Sequence, residues 1–254
     1  MIDAFRAWTL EQNDRRLVFA TGARATMFAE SGASGVARHQ HPAWKVVLPI
    51  GGHAKIGQDG GHSRTAAGLI VPPQLAHTCA ATSSYAALFV DPWLVRADVG
   101  LVRLDVSTVR RLIAALGPVG IDGPSSAPDL AAAYSELVTL LGAAPVLDAR
   151  VAHALREIMR PGPRTSLHAI AADVGLSPSR LRALARESVG VPLARLRRWG
   201  RLRHAIAHLP HTSVAGAAAD AGFADQAHLT RTSSNLLGRT PASIRRAAPA
   251  ARHC

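Results

Sequence analysis

Leu167-His168-Ala169-Ile170-Ala171-Ala172-Asp173-Val174-Gly175-Leu176 returns 47 positions later as Val214-Ala215-Gly216-Ala217-Ala218-Ala219-Asp220-Ala221-Gly222-Phe223. The two passages stay in step beyond that point, Gly190 answering to Gly238 and Pro192 to Pro241. Each copy reads as short helix, glycine turn, second helix, glycine exit and proline restart. That is a helix-turn-helix pattern, written in duplicate.

Local chemistry supports each part of the pattern. The two helices of such a unit lie close together, which favours small residues such as Ala171 and Ala218. A glycine then makes the turn because it accepts a left-handed backbone, the role expected of Gly175 and Gly222. Ser177 can cap the following helix with Pro178 in its first turn, and Asp225 can cap the equivalent helix of the second copy. On the helix from Pro178, Leu181 and Leu184 should face the core, leaving Ser179, Arg182, Ala183 and Arg186 outward. On the later helix Leu229 and Leu236 point in, leaving Gln226, Ala227, Thr230 and Arg231 out.

Such stripes suit a major groove. Arg pairs with guanine O6 and N7 and Gln with adenine N6 and N7, each good pair giving roughly 1–3 kcal/mol of discrimination. Ser179, Arg182, Ala183, Gln226, Ala227, Thr230 and Arg231 are therefore candidate base readers, with Arg180, Arg186 and His228 beside them for phosphates. The alternative is an ordinary solvated face. Charge favours DNA: from Arg164 onward there are 14 Arg, no Lys and 4 acidic residues, a net of +10 out of the chain's +12. Arg195, Arg197, Arg198, Arg201 and Arg203 crowd the stretch between the copies, and Arg197, Arg198 and Arg201 are expected on phosphates, with binding that falls steeply with salt.

The passage Ala221-Gly222-Phe223-Ala224-Asp225-Gln226-Ala227-His228-Leu229-Thr230-Arg231, followed by Gly238-Arg239-Thr240-Pro241, resembles the DNA-binding domain of the AraC/XylS family of bacterial transcription regulators. The resemblance implies two helix-turn-helix units joined by a long helix, roughly Leu193 to His208, that places them in successive major grooves of double-stranded DNA. This chain departs from the family pattern where an aromatic and basic residues are usual, carrying Ser233-Ser234-Asn235, and it has Ala185 where a bulky aromatic is common. Lighter packing and an asymmetric grip on DNA follow as expectations.

The 254 residues, 48% hydrophobic and 18% charged, suffice for two cores. Arg160-Pro161-Gly162-Pro163-Arg164 cannot continue a helix and reads as the joint. The expected organisation is α+β: a β-barrel over 1–105, a helical segment over 106–160, a linker at 161–165 and the duplicated domain at 166–248. No basic region followed by an apolar run opens the sequence, and no stretch approaches the ~20 apolar residues of a membrane span, so a cytoplasmic protein with no membrane partner is expected. Two cysteines, Cys79 and Cys254, suggest neither a disulfide framework nor a thiolate metal cage.

Upstream, the runs 17–21, 25–29, 46–50, 54–58, 69–71 and 85–90 alternate with Gly, Pro and polar clusters, the rhythm of a small β-barrel or sandwich. His39-Gln40-His41, the Gly51-Gly52 turn, and Val71-Pro72-Pro73 followed by His77 resemble the two motifs of a cupin barrel, a frequent partner of AraC-type domains. His39 and His41 share one strand face, and His77 could complete a metal site. Metal-binding cupins usually add a glutamate where this chain has Lys45, and an ammonium there opposes a cation. Three readings of His39, His41 and His77 stand: a divalent metal site, a pocket for an organic or anionic effector together with Trp44 and Lys45 and with Gln58 as a further lining residue, or structural histidines. No cofactor is otherwise implied.

Helices are expected near 107–116, 128–141 and 146–159. The middle one carries Leu130, Tyr134, Leu137, Val138 and Leu141 on one face, to pair two copies as a homodimer or to cover the barrel. His204, His208 and His211 read as a solvated or phosphate-facing cluster. The whole is expected to be a regulator, with RNA polymerase as a further partner and no catalytic residues. A metal-dependent cupin enzyme is the competing class, and it leaves the duplication unexplained.

Overall fold

The computed structural model describes residues 6–12, 15–96, 99–119, 127–160 and 165–245. Residues 161–164 of the linker expected at 161–165, and the end of the duplicated domain beyond 245, lie outside them. The strands are β1 (Arg6–Gln12), β2 (Arg15–Thr21), β3 (Ala25–Glu30), β4 (Ser34–His39), β5 (Trp44–Pro49), β6 (Ala54–Gly57), β7 (Ser63–Ala66), β8 (Gly68–Val71), β9 (His77–Ala81), β10 (Tyr85–Val90) and β11 (Val102–Leu104). They pair antiparallel throughout, as one sheet in the order β1-β2-β3-β10-β5-β8-β11 and a second in the order β4-β9-β6-β7.

Period-two alternation divides the large sheet between two cores. Leu17, Phe19, Phe28, Val47, Leu69, Val71, Ala87 and Phe89 face the small sheet, meeting Ile56, Cys79 and Ala81. Their alternates Val18, Ala20, Met27, Val46, Leu48, Ile70, Leu88 and Val90 face helices. β3, β5 and β10 are covered on both sides and buried along their whole length, with apolar residues throughout except Thr26, Glu30 and Lys45.

The covering helices are α1 (Val106–Leu116) and α2 (Leu130–Leu141), capped by the side chains of Asp105 and Asp129. Leu112, Leu116, Leu130 and Leu137 fill the second core, and the Tyr134 hydroxyl donates to the Leu94 carbonyl. Of the two roles open to α2, the structure shows it packed on its own β-domain. The next helix, α3 (Ala149–Met159), packs instead with the C-terminal helices around Leu155, Ile170, Leu181 and Leu196.

The C-terminal half is helical: α4 (Leu167–Asp173), α5 (Pro178–Val189), α6 (Leu193–His208), α7 (Val214–Asp220), α8 (Gln226–Leu237) and α9 (Pro241–Arg245). Ser166, Ser177, Ser213 and Asp225 each accept a backbone N–H at a helix start. Gly175 and Gly222 turn at φ +65° and +72° between the paired helices, whose contact residues Ala171 and Ala218 are buried.

Candidate DNA interface and buried histidine cluster

The two reading helices leave the expected faces open. On α5, Ser179, Arg180, Arg182, Ala183 and Arg186 are exposed while Leu181 and Ala185 are buried and Leu184 is half-buried. Ala185 is fully enclosed, so the small residue is packed rather than loose. On α8, Gln226, Ala227 and Arg231 are exposed, Thr230 is half-exposed, and Leu229 and Leu236 are buried. His228 is half-buried with its ring edge-on to Phe223, at 5.2 Å between centroids. It shores up the turn as much as it faces outward.

The arginines of α6 divide by face. Arg198 is exposed, and Arg197 donates to the Thr165 carbonyl at 3.2 Å from an outward position. Arg195 and Arg203, which the sequence grouped with them, turn instead to the β-domain. Arg195 donates to the Gln40 side-chain and main-chain oxygens at 2.6 and 2.7 Å. Arg203 reaches Asp91 at 3.3 Å, the Thr21 hydroxyl and the Gly22 carbonyl. The histidine cluster beyond them neighbours the β-domain in part: His208 lies 4.3 Å from His204 between ring centroids, tilted by 50°, and meets Arg6 at 2.6 Å, while Trp8 Nε1 donates to the Ile206 carbonyl at 3.1 Å. His208 is half-buried beside β1.

The C-terminal end of α8 docks on β4. Gln40 N–H donates to the Asn235 carbonyl at 2.9 Å and Ala37 N–H to the Gly238 carbonyl at 3.2 Å. This explains Ser233-Ser234-Asn235: Ser233 is fully buried and its hydroxyl donates to the Arg239 carbonyl at 2.6 Å, and the main chain around Asn235 approaches a strand. Bulky or basic side chains are replaced where the helix touches another part of the chain. Arg239 then enters a buried network, donating to Glu30 at 2.6 Å and to the Ser34 and Tyr85 hydroxyls. Tyr85 also donates to Glu30 at 2.8 Å. Burial alone would raise the Glu30 carboxyl; Arg239 and these hydrogen bonds outweigh it and hold it below the ordinary value of 4.5.

Cross-strand pairing of β4 with β9 sets His39 opposite His77, and His41 follows two residues on. All three are buried. Each Nδ1 meets a carbonyl, His39 with Ala37 at 2.8 Å, His41 with Ala43 at 2.6 Å and His77 with Leu75 at 2.9 Å. A carbonyl only accepts, so each Nδ1 carries the hydrogen and each Nε2 presents a lone pair. His41 and His77 Nε2 have no hydrogen-bond partner among the described residues, and His39 Nε2 has the Lys45 ammonium nitrogen at 3.2 Å. Burial, reinforced by Lys45, keeps the rings neutral: His77 falls to about 4 and His39 and His41 lie far below the usual imidazole value. A buried acceptor left unpaired costs about 1–3 kcal/mol. The donor set suits a borderline cation, and the cupin-like expectation of a metal fits the three nitrogens although no carboxylate joins them.

Lys45 itself is buried, which pushes its pKa down, and among the described residues no carboxylate pairs with it. Its side chain lines a partly open cavity of about 40 Å³, together with Phe28, Tyr85 and Phe89 of the β-domain and Leu237, Arg239 and Ile244 at the end of the helical half. Trp44 is not part of it. Lying one residue before Lys45 on a strand, it points to the opposite face, into the core under α1 and α2. Gln58 sits at a turn outside this lining. Glu30, Gln40, Tyr85 and Arg239 were missed from sequence as contributors because each acts through a partner tens to hundreds of residues away.

A family model described as a helix-turn-helix domain, of the AraC type, matches residues 170–247. No curated protein matches the sequence. Among solved structures the chain is similar to ToxT from Vibrio cholerae, at 11% identity and a TM-score of 0.54 over 89% of this chain and 99% of that one. It is similar also to unsaturated fatty acid-bound ToxT, at 12% identity and 0.53 over 98% and 97%. An AraC-type DNA-binding protein from Chromobacterium violaceum aligns at 26% identity over 39% of this chain and 94% of its own, with a TM-score of 0.36. The two ToxT likenesses place the β-domain and the helices in one shared architecture. The chain thus carries a segment, 170–247, that matches a helix-turn-helix domain, set behind a β-domain in a fold shared with ToxT.

Proposed function

We propose that the chain reads a specific DNA sequence with α5 and α8, and that a small effector held in the β-domain changes how the second unit engages DNA. The observation that carries this reading is the cavity walled by both halves of the chain, with Lys45 and Phe89 on one side and Leu237, Arg239 and Ile244 on the other. An occupant there touches the segment that follows a reading helix, so its binding and DNA binding are linked and must alter each other by the same factor. Aromatic and aliphatic walls call for an apolar body. A buried ammonium lacking a carboxylate calls for an acidic head. ToxT, whose fold this chain shares, has been solved with an unsaturated fatty acid bound, and we extend that ligand class, an apolar carboxylate, to this cavity.

On the DNA side, Ser179, Arg182, Ala183, Gln226, Ala227, Thr230 and Arg231 are assigned to base edges, and Arg180, Arg186, Arg197, Arg198 and Arg201 to phosphates. One chain holds both reading helices, and the apolar face of α2 is occupied by its own β-domain, so the reading requires no homodimer. The test is to select genomic fragments bound by the purified chain, then measure affinity for the best one by anisotropy with and without saturated and unsaturated long-chain carboxylates. We expect at least one to shift the DNA affinity by about 5- to 150-fold, the usual span of such coupling. Lys45→Met should remove the shift. Equal affinity across the whole series would sink the effector half, and absence of any selected sequence would sink the DNA half.

A further inference from the structure

We infer that Cys79 captures a soft carbon electrophile, an α,β-unsaturated aldehyde or ketone, as a covalent thioether inside the cavity shared by the two halves of the chain. The inference rests on the effector reading for its place, but it names a bond where that reading names a contact. Cys79 stands in the middle of β9, paired with Val36 of β4 on one side and Ile56 of β6 on the other. Its side chain is 8% exposed and forms part of the cavity wall. A thiol in an apolar wall is ordinarily inert packing. A second group aimed into the same space sets this one apart. Lys45 is 5% exposed and lines the cavity, and no carboxylate among the described residues pairs with it. His39 Nε2 at 3.2 Å and the Phe89 ring at 5.8 Å hold its ammonium, which lies within hydrogen-bonding reach of the Cys79 sulfur.

A nucleophilic sulfur beside a fixed cation calls for a ligand that joins an electrophilic carbon to an oxygen able to take up charge. In an enal or enone the two are linked by conjugation. The S–C bond forms at the β-carbon, the C=C π pair passes through the α-carbon to the carbonyl oxygen as an enolate, and the proton from sulfur finishes on the α-carbon. No oxidant is consumed and no group leaves. The Lys45 ammonium donates to the carbonyl oxygen as its charge grows, and a preorganised donor of this kind lowers the barrier. Phe28, Phe89, Leu237 and Ile244 receive the alkyl end. A partly open space of about 40 Å³ admits the reactive head of a short-chain compound of this class.

The test treats the full, folded chain with crotonaldehyde at one fixed pH and reads adducts by intact mass and peptide mapping, with butyraldehyde, which lacks the C=C bond, as control. We expect a crotonaldehyde thioether on Cys79 in preference to Cys254 and none from butyraldehyde. It should form about 10-fold or more faster than on free N-acetylcysteine, because the cavity holds the reactants together. Lys45→Met should slow it by roughly 100-fold, the cost of removing one donor from a developing oxyanion. A rate at Cys79 no greater than that of the free thiol, thioether confined to Cys254, or a folded Lys45→Met that reacts as fast as the parent would overturn the capture site. Should Lys45→Met fail to fold, the parent in and out of urea decides the matter: faster capture by the native chain supports the site and faster capture by the unfolded chain refutes it. Failure here is distinct from failure of the effector reading. Capture is read without DNA, and the shift in DNA affinity by carboxylates needs no bond to sulfur, so either result stands when the other is lost.

Discussion

Arg198 and Arg195 differ by three positions on α6, yet one faces outward and the other is held by Gln40. They should therefore respond differently to removal. Arg198→Ala is expected to weaken binding to every sequence and reduce the salt slope by about one. Arg182→Ala and Gln226→Ala should each relax preference at one base position, by roughly 1–3 kcal/mol, in a competition assay over single-base variants of the selected site. If all three leave binding unchanged, the reading helices are misassigned. Glu30 offers a test of a different kind. Its carboxyl is lowered in the folded chain, so its contribution is complete above the unfolded value near 4.5 and is lost as pH falls below that through the folded value. Glu30→Gln, by stranding Arg239, should cost about 3 kcal/mol in chemical denaturation at pH 7 and flatten the acid limb of the stability profile.

Elements whose ends carry their own chemistry were legible in the sequence. α4, α5, α7 and α8 start at their serine or aspartate caps, and α5 and α8 end at Gly190 and Gly238, because these signals act within four residues; α6 has no side-chain cap and starts after Pro192. β4 and β9 are foreshadowed only through their histidines, and β7 and β11 not at all: Ser-Gly-Val-Ala-Arg-His and Ser-Arg-Thr-Ala are short, partly exposed strands with no apolar run to mark them. In β1, Trp8 and Leu10 alternate with polar residues, a period-two signal too short to stand out from its surroundings. The histidines were legible as a cluster because two stand two residues apart, although only His39 lies in β4 and His41 follows its end, whereas the inward turn of Arg195 and Arg203 depends on residues about 110 to 180 positions away. Equivalent elements of the two copies now differ in surroundings. Gly190 and Gly238 both end a helix at positive φ, +72° and +70°, but a Cβ at Gly190 meets open space, whereas at Gly238 it would collide with the Ala37 carbonyl and lie 2.9 Å from His39 Nδ1. Gly190→Ala should cost about 1 kcal/mol of strain. Gly238→Ala should in addition undock α8 from β4, seen as faster hydrogen exchange at the Ala37 and Gln40 amides.

At the scale of the whole molecule, the β-domain holds the DNA-binding half at several separate places: Gln40 with Arg195 and Asn235, Asp91 with Arg203, Glu30 with Arg239, and Trp8 with Ile206. A common core running from Phe89 to Trp199, whose rings lie 5.3 Å apart, joins them. Loosening one hold should be felt at the others. Arg203→Ala is expected to raise hydrogen exchange along α6 and β4 together and to alter affinity for the selected DNA, although Arg203 itself faces away from it. A change confined to the Asp91 neighbourhood would show that the holds act independently.

Gly238 closes the second copy of a motif whose first copy has no such neighbour. One glycine thus answers to two masters, the helix it terminates and the strand it abuts. The duplicated half is consequently not an interchangeable part. Grafted behind an unrelated sensor, its first unit should work as before, while its second would expose Ser233, Leu237 and Arg239 surfaces shaped for a missing strand. Conversely, a standard helix-turn-helix pair set behind this β-domain, with the usual bulky residues in place of Ser233-Ser234-Asn235, would not seat on β4. Chimeras that exchange regulators at the joint near residue 160 should lose effector control in both directions, and those that carry β4 along with the helices should keep it.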